Sequence, residues 1–337
     1  MANIKDVARK SGVSIATVSR VVNSSEHRVS AETRERVLQA IKELDYRPNA
    51  LAQGLIMKRS MTVGIIIPDI SNPYYAEIVR GIQDVADRTG YAVMLQNTDR
   101  KKERIIKCIQ LLREKRADGI IFSGGILHGF ETLSTLRELS QRVVVIGRHE
   151  VDFPAVRVDN ILGAAQAVQH LIDLGHRKIG FISGSRMSTT SVDRLRGYRN
   201  SLAQFGVPYE SARVRQGNLT PESGYLAAKT LLDQKERVTA IFAANDLMAY
   251  GVINAAKEQG LRVPEDLSVI GFDNIPLSGY FDPPLTTVEI PMYDLGVAAM
   301  EMLADLISTI DLNRLKIVQT SLILRGSTKK SSKKDLT

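Results

Sequence analysis

SGVSIATVSRVVN, residues 11–23, places small and β-branched side chains at helix-like spacing with Arg20 as its only charge. The preceding IKDVARK (4–10) also reads as helix, and Gly12 sits at the junction, where a positive φ costs glycine little. Val7 and Ala8 from the first helix can close a small core with Val18 and Val21 or Val22 from the second. Ile15, Ala16, Thr17, Ser19, Arg20 and Asn23 then fall on other faces. Two readings follow. One is a plain helical hairpin; the other is a helix–turn–helix whose second helix meets base edges in the major groove of DNA. Charge favours the second. Residues 1–60 carry 11 Lys/Arg against 6 Asp/Glu, and residues 325–337 carry 5 against 1, so of the net +8 the remaining body holds −1. A basic head on a near-neutral body points to a polyanion partner.

Outward from that stretch, three helices are expected over 4–10, 15–23 and 31–44, with Ser14 capping the second and Ser30 the third. Thr33 stands where a full capping box would need an acidic or amide side chain. RPNALAQGLIMK (47–58) is rich in helix formers and opens with Asn49 as a cap. An isolated helix needs about 12–15 residues even in good sequences, and Gly54 costs about 1 kcal/mol. This link should therefore fold only when it is held. From Thr62 the texture changes to short apolar runs, TVGIIIP, AVMLQNT, GIIFSG, VVVIGR, KIGFISG, TAIFAAN and SVIGFDN, separated by amphipathic helices. That alternation marks parallel sheets covered on both faces, and two rounds are visible, 61–158 and 160–287. In doubly wound sheets ligands bind beyond the carboxyl ends of the strands. The loops there are polar, with Tyr74 and Tyr75 as possible stacking surfaces.

Several classes are disfavoured. Cys108, alone and in the apolar RIIKCIQLL, offers neither a disulfide nor a CxxC site. The start MANIKDVARK lacks the apolar core of roughly 7–15 residues that a secretory signal carries, and no apolar run reaches the roughly 18 residues of a membrane span. No GxGxxG follows a strand, and neither GxxxxGK[ST] nor GxSxG occurs. The five histidines lack metal-ligand spacing. An enzyme, a cofactor, a metal and a membrane partner are all not expected.

With IKDVARKSGVSIATVSRVVN, RPNALAQGL, VGIIIPDISNPYY, DRLRGY, ANDLMAYG, GFDN and PPLTTV in place, the chain resembles the lactose/galactose repressor family of bacterial transcription regulators over almost its whole length. The resemblance implies a small all-α helix-turn-helix head and an α/β periplasmic-binding-protein-like core of two doubly wound parallel-sheet lobes. The implied division is a head over 1–46, a hinge helix over 47–60, one lobe over 61–159 plus 288–316, a second over 160–287 plus 317–327, and a disordered basic tail over 328–337. The implied DNA set is Ser14, Ile15, Ala16, Thr17, Ser19, Arg20 and Asn23 in the major groove, with Asn49, Ala50 and the wedge Leu55 in the minor groove. Ile15 and Ala16 can only touch thymine methyls or exclude bulk, whereas Arg20 can grip a guanine with two hydrogen bonds.

The same resemblance implies an effector site between the lobes. Asp69, Arg194, Asn245 and Asp273 are its main residues, with Asn72, Tyr75, Ser123, Arg148, Thr190 and Leu219 beside them. Asp69 and Asp273 could equally cap strand-end turns. Ser188 and Leu219 replace an arginine and an aromatic platform of purine-binding members, which favours a sugar or sugar derivative; Arg148 beside Arg194 could take a phosphate or carboxylate. Expected partners are palindromic double-stranded operator DNA, a small effector and a second copy of the chain, through YYAEIVRGIQDVAD and AYGVINAAKEQG. The expected location is the cytoplasm, on the nucleoid. Alternatives are a catabolite-control-type regulator answering a phosphorylated co-repressor protein, a sugar-binding transport protein and a sugar-modifying enzyme.

Overall fold

A computed structural model describes residues 2–22, 29–46, 59–124, 136, 142–149, 152–308 and 314–331. It divides into two compact units, Met1–Met61 and Thr62–Thr337.

The first unit is helical. α1 (Ile4–Ser11) opens on a capping box in which Asn3 accepts from the Lys5 and Asp6 amides while Asp6 accepts from the Asn3 amide. Gly12 ends it at φ 66°, a left-handed turn that glycine adopts without strain. α2 (Ile15–Val22) follows after two residues, and α3 (Ala31–Glu43) starts under a Ser30 cap. Val7, Ala8, Val18, Val21, Val37 and Ala40 form the buried core, and Lys10 meets Glu43 at 2.7 Å across α1 and α3.

The second unit holds two six-stranded sheets. The first has the order β11-β5-β4-β3-β1-β2, built from β1 (Thr62–Ile67), β2 (Ala92–Asn97), β3 (Gly119–Ser123), β4 (Val143–Ile146), β5 (Ala155–Val158) and β11 (Leu315–Val318), all parallel. The second has the order β12-β10-β9-β8-β6-β7, from β6 (Ile179–Ser183), β7 (Val214–Gln216), β8 (Ala240–Ala243), β9 (Ser268–Asp273), β10 (Thr286–Glu289) and β12 (Ser321–Ile323). Only β12 runs antiparallel there. Both sheets contain the 2-1-3-4-5 winding, so each has a switch point beside its first strand.

Helices cover both sheets: α4 (Pro73–Thr89), α5 (Lys102–Glu114), α6 (Asn160–Asp173), α7 (Thr189–Gln204), α8 (Pro221–Leu232), α9 (Asp246–Glu258) and α10 (Met292–Ile307). The chain passes between lobes three times: after β5, between β10 and α10, and between β11 and β12. The second passage falls at Ile290 and Pro291 and the third at 319–320, two to three residues beyond the expected boundaries.

Two details differ from the sequence expectations. Residues 328–331, expected as free tail, are held: His170 and His176 bond Thr328 and the Lys329 carbonyl at 3.1 and 3.0 Å, and the Ser331 amide donates to Leu174 at 2.8 Å. α4 packs tightly on α10, where a Cβ on Gly81 would collide with the Tyr293 carbonyl and one on Gly296 with that of Ile78. Its apolar stripe of Ile78, Ile82 and Val85 is therefore buried inside its own lobe, leaving mainly Arg80, Asp84, Asp87 and Arg88 outside.

Candidate functional site

In the head, the core takes the valines of α2 and leaves one face of the helix to solvent. Ile15 is 44% exposed, and Ala16 and Arg20 are exposed beside it. Thr17 and Ser19 flank that face half-buried. Ser14 caps the helix, its hydroxyl accepting from the Thr17 amide at 3.1 Å and pairing with the Thr17 hydroxyl at 2.9 Å. Arg20 meets no carboxylate among the described residues. An exposed branched aliphatic side chain next to an unpaired guanidinium is poorly explained by the head's own stability. Asn23, Asn49, Ala50 and Leu55 lie outside the described residues.

In the core, the carboxyl ends of both sheets face one cavity of about 190 Å³. Asn72, Tyr75 and Ser123 line it from one lobe, and Thr190, Arg194, Leu219, Asn245 and Asp273 from the other. At about 30 Å³ of liquid volume per water, the space corresponds to about six waters, room for a small ligand. Asn72 and Asn245 are the N-caps of α4 and α9, accepting from the Tyr74 and Met248 amides at 3.1 and 3.0 Å. Asn245 also donates to the Leu219 carbonyl at 3.2 Å.

Arg194 is 5% exposed and anchored on all sides. It donates to Asn160 Oδ1 at 2.9 Å, to the Ala244 carbonyl and to Asp273 Oδ1 at 3.3 Å, and its guanidinium lies 3.6 Å from the centre of the Phe272 ring. Two of its five donors remain for a ligand. Burial pushes Asp273 up to about 7, against the pull of Arg194. Burial likewise raises the Tyr74 and Tyr75 phenols, which stay neutral and can donate. Asp99, Arg100, Leu219, Asp273 and Asn274, all at or beside the cavity, have positive φ between 48° and 115°. Non-glycine residues held there cost free energy, and such strain gathers at binding sites.

Two expected effector residues are not in the wall. Asp69 is half-buried and caps its own loop, its Oδ1 accepting from the Ser71 amide at 3.0 Å and hydroxyl at 2.6 Å. Arg148 grips Asp193 on α7 with two bonds of 2.9 and 2.8 Å, and its carbonyl accepts from the Thr189 hydroxyl at 2.5 Å. It ties the lobes together through that carboxylate. Other residues were not singled out from sequence: Arg100, His149, Asn160 and Asn218 in the wall, and Phe272 and Asp246 behind it. Arg100 and His149 lay within strand-end loops already visible as polar. Asn160 followed a strand too short to notice. Asp246, fully buried, bonds the Ile275 amide at 2.9 Å, the Ser278 hydroxyl at 2.6 Å and Thr287, and burial lifts it to about 6.

Comparison with known proteins agrees with both units. Residues 3–49 match the family described as bacterial regulatory proteins, lacI family, and residues 168–328 match the periplasmic binding protein-like domain. Catabolite control protein A of Priestia megaterium is 43% identical over 303 residues, 89% of this chain and 91% of that protein. The transcriptional repressor CytR of Escherichia coli K12 is 37% identical over 97% of this chain and 96% of its own. Among solved structures, the lac repressor dimer bound to operator and the anti-inducer ONPF superposes with a TM-score of 0.89 at 30% identity, covering 97% of this chain and 99% of that one.

Proposed function

The chain belongs to the lacI family of bacterial regulatory proteins and is a DNA-binding transcription regulator; from that premise we propose that it represses carbohydrate-related genes as a homodimer on a palindromic operator, under control of a sugar or sugar derivative in the cleft. The observation that carries this reading is the cavity, where a buried arginine, a buried carboxylate and a capping amide face a space with room for a small ligand. A carboxylate there accepts two neighbouring hydroxyls of a polyol, while Arg194 and Asn245 fix their orientation. In the head, Ile15 and Ala16 meet thymine methyls, Arg20 reads a guanine, and Thr17, Ser19 and Asn23 hold phosphates. Asn49 and Ala50 position the link, and Leu55 wedges the central step.

A two-fold operator asks for a two-fold protein. The exposed apolar side chains best placed for a second copy are Leu226 on α8, with Leu277 and Tyr280 on the turn after β9, exposed at 57%, 51% and 87%. They add apolar surface on the second lobe to the expected contact through α4 and α9. The regulator works in the cytoplasm on the nucleoid, with no membrane partner and no catalytic step. A second reading, in which the effector is a phosphorylated co-repressor protein, draws on the likeness to catabolite control protein A. A gel-shift titration on palindromic and scrambled duplexes over a salt series tests the proposal: specific binding with a steep salt slope is expected. Equal affinity for both duplexes contradicts it. In the same assay Leu55→Ala should lose specific affinity and keep effector binding.

A further inference from the structure

Arg100 and Arg194 line the cavity and Arg148 bridges the lobes next to it; the last two are neutralised by the protein itself. Arg194 faces Asp273 and Arg148 faces Asp193. Arg100 has no carboxylate partner among the described residues, because Asp99 next to it pairs with Arg104. Arg100 is held at φ 59° in the loop after β2, lines the cavity and donates across the cleft to the Asn218 carbonyl at 3.2 Å. Gly184 packs between the neighbouring Leu219 and the start of α7: a Cβ there would lie 3.0 Å from Leu219 Cδ2 and against the Ser191 hydroxyl. Arg100 and the N-terminus of α7 thus flank the same edge of the cavity.

Four helices begin at this cavity. α6 is capped by Asp159 and α9 carries Asp246 in its first turn, whereas α4 and α7 have no acidic residue there. No first-turn carboxylate offsets the positive field of their amide ends. Inside the wall, Ser123 is 1% exposed and its hydroxyl has no partner among the described residues. A buried polar atom in that position can be matched by a ligand or by an ordered water.

We propose that the effector is an anionic sugar derivative, bearing a phosphate or a carboxylate on a hydroxyl-rich body, and that Arg100 with the start of α7 reads the anion while Asp273 and Asn245 read hydroxyls. The proposal rests on the cleft being the effector site. A planar guanidinium matches either anion with two parallel bonds. Because Arg100 is exposed, salt weakens its contribution.

Calorimetric titration of the intact chain with matched probes tests this: glucose, glucose 6-phosphate and glucuronate, then ribose and ribose 5-phosphate, with inorganic phosphate as a control. One charged probe should bind about tenfold or more tighter than its neutral parent. Arg100→Gln should remove that preference without changing the melting temperature, and raising the salt should shrink it. Preference for the phosphate or for the acid identifies the anion. A neutral parent binding as tightly as its charged forms, or an Arg100→Gln variant that keeps the preference, overturns the proposal and leaves the cleft reading in place. Failure of every probe, neutral or charged, to bind or to shift melting removes the cleft reading itself, and this proposal with it.

Discussion

The outer face of α2 and the inter-lobe cavity both carry arginines, yet they treat them in opposite ways. Arg20 stands exposed, with no carboxylate partner among the described residues, over a core sealed by Val18 and Val21. Arg194 is buried, bonded on three sides and stacked on Phe272. A surface reader meets its ligand without touching the fold, so its side chains can change with little effect on stability. A buried reader is part of the fold, so each change there alters stability and binding together. The two regions should therefore fail differently when mutated.

Arg194→Met offers the largest break in that contrast. Removing one partner of a buried pair leaves Asp273 uncompensated, and such changes cost about 3–5 kcal/mol. Urea denaturation should show the core unfolding early, with ligand binding lost. The double variant Arg194→Met with Asp273→Leu should recover much of the stability and none of the binding. Arg20→Ala comes next: operator affinity should fall by about 1–3 kcal/mol and one base position relax, while stability stays within about 0.5 kcal/mol. Equal losses on operator and random DNA in a fluorescence anisotropy titration would remove the base-reading role.

The third contrast is with pH. Asp273 sits at about 7 in the folded chain, above the roughly 4 of an unfolded aspartate. The native state therefore holds a proton that the unfolded chain has released. Its contribution to stability is full at acid pH and is lost as pH rises through 7. Asp246, at about 6, acts in the same direction. Each group should lower core stability by about 1.4 kcal/mol per pH unit between the unfolded value and its own folded one, and Asp273→Asn should remove the larger part of the profile. Ligand affinity should move the other way, rising with pH, because the carboxylate is the better acceptor for hydroxyls. The smallest effect is Asp193→Asn. It frees the partly exposed Arg148 and should change stability by about 0–1 kcal/mol, detectable as a small shift in denaturation midpoint.

Legibility followed the same divide. Periodicity exposed α1, α2, α3 and the seven long apolar strands, because each carries its own local signal. β5, β7, β10, β11 and β12 are three or four residues long, and all but β12 include a charged residue (Arg157, Arg215, Glu289 or Lys316), so alternation had little to act on. Most of the cavity was visible in the strand-end loops. Arg148 was misplaced because its partner Asp193 is 45 residues away, and only the fold brings them together. Arg100 was overlooked because one charged residue in an exposed loop reads as solvated. Only its reach to Asn218 across the cleft distinguishes it. Asp69 had two readings in sequence, and its bonds to Ser71 show it in the turn-capping arrangement.

The central claim is that occupancy of the cavity is felt at the operator. The direct measurement is the operator dissociation constant of the intact chain, taken with and without a saturating sugar that calorimetry shows to bind. A coupling of about 1–3 kcal/mol, some 5- to 150-fold in affinity, is predicted, and it should vanish in Asp273→Asn at concentrations where that variant no longer binds the sugar. Unchanged operator affinity with the cavity filled would contradict the account.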